Sequence, residues 1–491
     1  MRAAAFLSIV ALAITAPGTG SGLVHSLSGL RPLSNEEVVR QEMQARLQGD
    51  LDALTRFRPG YGFWRYVYSI PDGSIAFGSA TDGRLLGSVP TGGDWTRAAR
   101  WEEDGLDGVL EGVSFARRVD DRRDQVALAL QPAVGPVVHN ATRGNFLLPN
   151  ARRYGGFLEE WGAIYERFGV PAEVGLAQAV VESGLAGKVK SEAKAIGFCQ
   201  WLPRNWQRLN RLAGATIEAE NQTTQAPYCA AYLSVLATKY NSFIPALSEH
   251  HAGGVNVGRT VINGGLMGGA DVRERYFLGS DLAVALREMA PGAFRKITGS
   301  YGPRSHLYAE MVFGNTETVK RLRDDTPQDK IYGIRTSRAF TIDDIRQRTG
   351  LTVEQLKRFN PALVRRVPAG ANLYLPVQGG QFGEDVSFWH RPAPAEFETV
   401  LSDFLSLNAT VEEWDEPEFD VVLRDFRRRF RETGVEEGRV MDVVIGYVMQ
   451  ELPTARRILG AYRTSPEVHE LVRQGAMRRA LFMTVAGTAQ D

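Results

Sequence analysis

The chain has 491 residues, 44% of them hydrophobic and 23% charged, enough for about three globular domains with sizeable cores. Lys plus Arg and Asp plus Glu each total 57, so no net field draws the chain to nucleic acid or to an acidic membrane surface. The expected fold class is α+β multidomain: mainly α in the middle, β-rich near the N-terminus and helical near the C-terminus.

Residues 1–22 read as an export signal, with Arg2 as a minimal basic start, an apolar core over 3–15 and small residues after it. That core is well short of the ~20 residues a membrane span needs. No cysteine lies in this stretch, so the expectation is an exported protein of the periplasm or cell envelope without a lipid anchor. In an exported chain the two cysteines, Cys199 and Cys229, make either one disulfide or two buried thiols.

An N-terminal module is expected over 23–145. It starts with helical periodicity over 35–55 and turns to hairpins from residue 61. There aromatic and β-branched runs alternate with Pro-Asp-Gly, Asp-Gly and Gly-Gly-Asp turn signals. Trp64, Tyr66 and Tyr68 read as sheet packing, and "DQVALALQPAV" as a further strand.

A mainly helical region follows over 146–325. One helix lies in "YGGFLEEWGAIYERFGVP" and stops at Gly169 and Pro171. A second, "AEVGLAQAVVES", carries Glu182 at its end, and a third lies in "YCAAYLSVLATKYN". Glycines over 252–269 read as loops. A strand–helix–helix–strand module is expected over 328–378, with turns at Gly350 and Asn360-Pro361. The segment 385–491 reads as helical. In it Phe419, Val422, Leu423, Phe426 and Phe430 share one face, while Arg427, Arg428, Arg429 and Arg431 lie mostly off it as a solvated surface.

The chemistry centres on Glu182. Its flank, Ala179-Val180-Val181, disfavours the charged carboxylate and raises its pKa, as a general acid at neutral pH requires. The stretch "ESGLAGKVKSEAKAIGFCQW" resembles the catalytic motif of lytic transglycosylases: Glu182, Ser183, Ser191, Gly197 and Gln200 fall at that family's spacing without a gap. The resemblance covers roughly 150–320 and implies a lysozyme-like catalytic domain in which Glu182 is the sole acid/base. It further implies that Ser183, Ser191 and Gln200 bind substrate. In "EHHAGGVNVGR", Ala252 and Gly253 match a second family motif, and His250 and His251 replace its Tyr-Asn. The loop "HHAGG" is expected to line the cleft, with one imidazole facing Glu182 or sugar and an acid limb in the pH profile near ~6.5. Adjacent histidines lack the i, i+4 spacing of a metal pair, and neither a metal nor another cofactor is expected. Tyr308 in "RSHLYAEMVFGN" stands where the family has a cleft tyrosine.

The 331–377 segment resembles a LysM domain, a βααβ peptidoglycan-binding unit, with Phe340, Thr341 and Asn360 in the loops that would bind glycan. Together the resemblances imply a lyase that cleaves the bond between N-acetylmuramic acid and N-acetylglucosamine and closes a 1,6-anhydro ring. The partners implied are peptidoglycan glycan strands, with cell-envelope proteins on the terminal modules and no nucleic acid. Two other readings stand beside it: a goose-type lysozyme-like hydrolase, which needs a second acidic residue to activate water, and a catalytically silent peptidoglycan-binding scaffold.

Overall fold

The computed structural model describes residues 33–289, 291–298, 305–382, 390–407 and 409–488. The export signal expected over 1–22 lies outside the described residues. The described chain is mostly helical with small antiparallel sheets, an α+β arrangement dominated by α.

The expected first helix is α1 (Asn35–Phe57), with Glu36 and Glu37 in the first turn and Arg56 in the last, charges that oppose the helix dipole. Next comes α2 (Trp64–Ser69), where a strand was expected. The alternation of Trp64, Tyr66 and Tyr68 looked strand-like, but Trp64, Val67 and Tyr68 are the buried residues, a helical spacing. The hairpin expected at Asp82-Gly83 forms between β1 (Ile75–Ser79) and β2 (Leu85–Val89). A single turn, α3 (Trp95–Ala98), leads to β3 (Arg100–Trp101). The "DQVALALQPAV" stretch is not a strand either. It belongs to α4 (Val119–Val134), which buries Val126 and Leu130 four residues apart. The strand comes just after it, as β4 (Val137–Ala141), and completes a sheet of order β3-β2-β1-β4. Ile75, Phe77, Leu86, Trp95, Val126 and Leu130 form a separate small core in which α4 covers this sheet.

The central region runs through α5 (Gly144–Tyr154), α6 (Leu158–Arg167), α7 (Ala172–Ser183), α8 (Pro203–Ala213) and α9 (Gln222–Tyr240). Every residue of α7 from Val174 to Val181 is buried, as befits a helix with no polar face. After α10 (Phe243–Ala252), the glycine-rich stretch read as loop is largely the helix α11 (Gly254–Leu266). Its glycines serve close packing. A Cβ on Gly264 would lie 1.7 Å from the Arg275 carbonyl oxygen on α12 (Val272–Met289), so only hydrogen fits. The region continues with α13 (Pro291–Thr298), α14 (Tyr308–Gly314) and α15 (Thr316–Asp324).

The next module has the expected order with doubled strands: β5 (Tyr332–Arg335), β6 (Phe340–Thr341), α16 (Ile342–Thr349), α17 (Val353–Phe359), β7 (Arg366–Val367) and β8 (Asn372–Leu375). β5 pairs with β8 and β6 with β7, both antiparallel. Both helices open on capping boxes, Thr341 with Asp344 and Thr352 with Gln355. Ile334, Phe340, Ile345, Leu356, Val367 and Leu373 give this module its own core.

The C-terminal region is helical in α18 (Ala395–Leu405), α19 (Val411–Trp414), α20 (Pro417–Glu432), α21 (Glu436–Met449), α22 (Leu452–Arg463) and α23 (Pro466–Thr488). On α20, Phe419, Leu423, Phe426 and Phe430 are buried as the spacing predicts, while Val422 is half-buried. The arginine row is matched by acids: Arg427 and Arg431 pair with Asp442, Arg428 with Asp425 and Glu432, and Arg429 with Asp403. One hydrophobic core extends from Leu54 on α1 through the central helices to Val472 on α23, so the expected boundaries at 146, 325 and 385 do not divide it.

Candidate active site

α7, α10 and α14 bring Glu182, His250 and Tyr308 together. α7 stops because the chain takes left-handed backbone at Gly184 (φ +55°) and again at Leu185 (φ +69°). The Gly184 N–H donates to the Val180 carbonyl at 3.0 Å, the bond of a left-handed helix cap, and the Leu185 N–H to that of Ala179 at 3.3 Å. A Cβ at Gly184 would press on the Phe146 ring at 2.9 Å. Glu182 therefore lies in the last turn of a buried helix, with its side chain only 12% exposed.

Burial pushes the Glu182 carboxyl up to about 7, against a smaller opposing effect of its hydrogen bond from Tyr308. The Tyr308 hydroxyl is buried and donates to Glu182 Oε1; burial and the nearby carboxylate hold that phenol well above its ordinary pKa, so it stays a donor. His250 Nε2 lies 3.5 Å from the same oxygen, Oε1. Among the described residues the one hydrogen bond that the Glu182 carboxyl receives is thus the phenol's on Oε1, with the imidazole beside the same oxygen.

The tautomer of His250 follows from its neighbours. Trp201 Nε1–H, which can only donate, faces Nδ1 at 3.4 Å, so Nε2 carries the hydrogen and donates to the Cys199 carbonyl at 2.9 Å. Burial drives the His250 pKa down to about 4, and the ring is neutral at physiological pH. The acid limb expected near ~6.5 therefore does not come from His250. His251 stacks on the Tyr308 ring at 4.6 Å and meets Ser305 Oγ at 3.1 Å; burial lowers its pKa as well. Both histidines lie in the final turn of α10 rather than in a loop.

The other residues expected at the site are used differently. Ser183 is fully buried, and its hydroxyl donates to the carbonyls of Ala179 at 3.0 Å and Phe198 at 3.3 Å. It fastens the helix end to the following loop and has no surface to offer a ligand. Ser191 is exposed and its Oγ accepts from Ala195 N–H at 3.0 Å, closing a turn. Gln200, at φ +50°, donates from Nε2 to the carbonyls of Val189 (3.1 Å) and Gly197 (2.9 Å), bracing the same loop. Cys199 and Cys229 are disulfide-bonded with a Cα–Cα distance of 6.2 Å, which ties this loop to α9 and decides between the two readings of the cysteines.

Several supports carried no sequence signal beyond being polar residues in an apolar run. Gln222 Nε2 donates to the Leu185 carbonyl at 3.0 Å, and Gln225 Oε1 accepts from Phe198 N–H at 2.6 Å, so α9 grips the loop near both ends. Glu249, directly before His250, is buried and paired with Lys239 Nζ at 2.8 Å. Lys239 Nζ lies 4.2 Å from the ring centroid of Trp414 on α19. Tyr447 on α21 stacks on Trp201 at 6.2 Å.

In the βααβ module, two of the three expected glycan contacts, Phe340 and Asn360, are buried, and the third, Thr341, is exposed. Phe340 is buried against Phe382 at 5.3 Å. Thr341 Oγ1 caps α16, and the Asn360 amide bridges the backbone of Leu356 and Tyr374. Among the described residues no group of three His, Cys, Asp or Glu could hold a metal ion. Compared with known proteins, the chain matches no family model and no curated relative.

Proposed function

We propose that the chain is a peptidoglycan lytic transglycosylase with a lysozyme-like catalytic domain and a LysM-type βααβ module, exported to the cell envelope. The observation that carries the reading is Glu182: a carboxyl group held near pKa 7 by burial, bonded by Tyr308 and faced by a neutral His250. Protonated, Glu182 would give its proton to the glycosidic oxygen as that bond breaks. The substrate's own N-acetyl oxygen would take the anomeric carbon, a substrate-assisted route that needs no second carboxylate. The Glu182 carboxylate would then take the proton of the muramyl 6-hydroxyl as that oxygen closes the anhydro ring, which restores the acid.

Support for this route over lysozyme-like hydrolysis comes from the surroundings of Glu182. Among the described residues its bonded and ionic neighbours are Tyr308 and a neutral His250, and no carboxylate contacts it. The test is digestion of purified sacculi with product analysis by mass. Muropeptides lighter by one water than hydrolysis products are expected from the wild type, and none from Glu182→Gln. Reducing-end muramic acid as the main product would favour the lysozyme-like reading, and undiminished digestion by a folded Glu182→Gln protein would remove Glu182 from the chemistry.

A further inference from the structure

A pocket of about 400 Å³ opens where α5, the loop leaving Glu182 and the end of α17 meet. Its polar lining is Asn150 and three cations, Arg153, Lys188 and Lys357. These cations come from three separate segments, all are exposed, and none forms an ion pair among the described residues. That sets them apart from Arg427, Arg428, Arg429 and Arg431 of α20, each of which has a carboxylate partner. Among the described residues no Asp or Glu lines the pocket. The rest of the wall is apolar: Tyr154, Pro361, Leu363 and Val364, the last 71% exposed. Ala186 and Gly187 complete the lining with almost no side chain, only a few residues after Glu182.

Three unmatched positive charges around an apolar, half-open cavity suit a ligand that carries more than one negative charge on an aliphatic frame. Inorganic phosphate would use the charges and leave the apolar wall idle. We propose that this pocket binds a short acidic peptide, with its carboxylates on Arg153, Lys188 and Lys357 and its aliphatic side chains on Leu363 and Val364. The inference rests on the proposed function and deepens it, because wall glycan carries short peptides with free carboxylates. The pocket would hold such a stem on the loop that leads away from the acid.

The test is calorimetric titration of the full chain with the peptide acetyl-Ala-Glu-Ala-Ala, its neutral counterpart with Gln and a C-terminal amide, and inorganic phosphate. Saturable binding of the diacid is expected, weakening as NaCl rises from about 50 to about 500 mM. Arg153→Glu with Lys357→Glu should weaken it about tenfold, since each reversal replaces an attraction by a repulsion. The single exposed change Lys357→Gln, checked for an unaltered melting curve, should weaken it about threefold and guards against misfolding of the double variant. Equal binding of the neutral peptide, full displacement by equimolar phosphate, or unchanged affinity in both variants would each overturn the assignment. Sacculus digestion without any peptide binding would remove the pocket and leave the proposed activity standing. Peptide binding by a protein whose Glu182→Gln form still digests would remove Glu182 from the chemistry and leave the pocket.

Discussion

The βααβ module and the helices around Glu182 each carry residues marked by their local sequence pattern, and they use them in opposite ways. In the module the marked residues make the fold: Phe340 fills the core, Thr341 caps α16 and Asn360 bonds two backbone segments. Around Glu182 many flanking residues also build, but among the described residues the acid itself is left without a cation to neutralise it. Size explains the difference. The module's core is small, and small cores need each polar side chain to satisfy backbone groups. The central core reaches from α1 to α23 and can tolerate one buried carboxyl that opposes folding.

The sharpest way to break this comparison is Glu182→Gln. Activity should fall at least ~10²–10⁴-fold, the usual worth of general acid–base catalysis. Stability should move the other way. The folded carboxyl has a pKa raised to about 7, so the wild type loses stability as pH rises from the unfolded value through 7. At pH ~8 the amide variant should therefore be more stable by up to about 3 kcal/mol, and near pH ~4 the two should match. Denaturant unfolding at both pH values reads this directly. Wild-type activity should likewise decline above pH ~7, as the acid form is lost, with no step near the ordinary histidine pKa.

Phe340→Ala should cost about 3–5 kcal/mol, the range for emptying a buried phenylalanine site. If the module unfolds by itself, a separate early transition will appear in the melting curve. A glycan pull-down that lost affinity while the melting curve stayed unchanged would show instead that the ring serves binding.

Replacing Cys199 and Cys229 by serine should cost about 2–4 kcal/mol, with two thiols expected in the reduced, unfolded wild type and none in the unreduced one. Tyr308→Phe removes the donor to Oε1 and should slow turnover by about 10–100-fold, the worth of a hydrogen bond to a charged group. Since that bond lowers the Glu182 pKa, its loss should also move the alkaline decline to higher pH, a shift that a packing defect would not produce. Thr341→Ala should be the smallest change, about 1 kcal/mol, as for a lost helix cap.

What could be read in the sequence was set by how local the signal is. The Glu182 helix and the paired turns of the βααβ module depend on near neighbours, and they form as expected. Trp64 to Tyr68 misled because an aromatic alternation fits a strand and a short helix equally well until burial separates them. The glycines of α11 misled because their purpose, approach to α12, is a contact between different segments. For the same reason Gln222, Gln225 and Glu249 gave no warning: each acts on a residue brought near only by folding. His250 stood out by departing from its apparent family, yet its neutral state depends on burial beside Trp201 and Cys199.

The stacking of Tyr447 on Trp201 has a bearing on how such a chain can be recombined. Trp201 is the residue whose indole fixes the His250 tautomer, and its outer face is covered by α21, more than two hundred residues further on. Trp414 covers Lys239 in the same manner. The stretch from 146 to 325 is therefore no portable cassette. Spliced into another protein without its last hundred residues, it would present a bare aromatic wall and a loosened imidazole. Inheritance of the chemistry is bound to inheritance of the C-terminal helices.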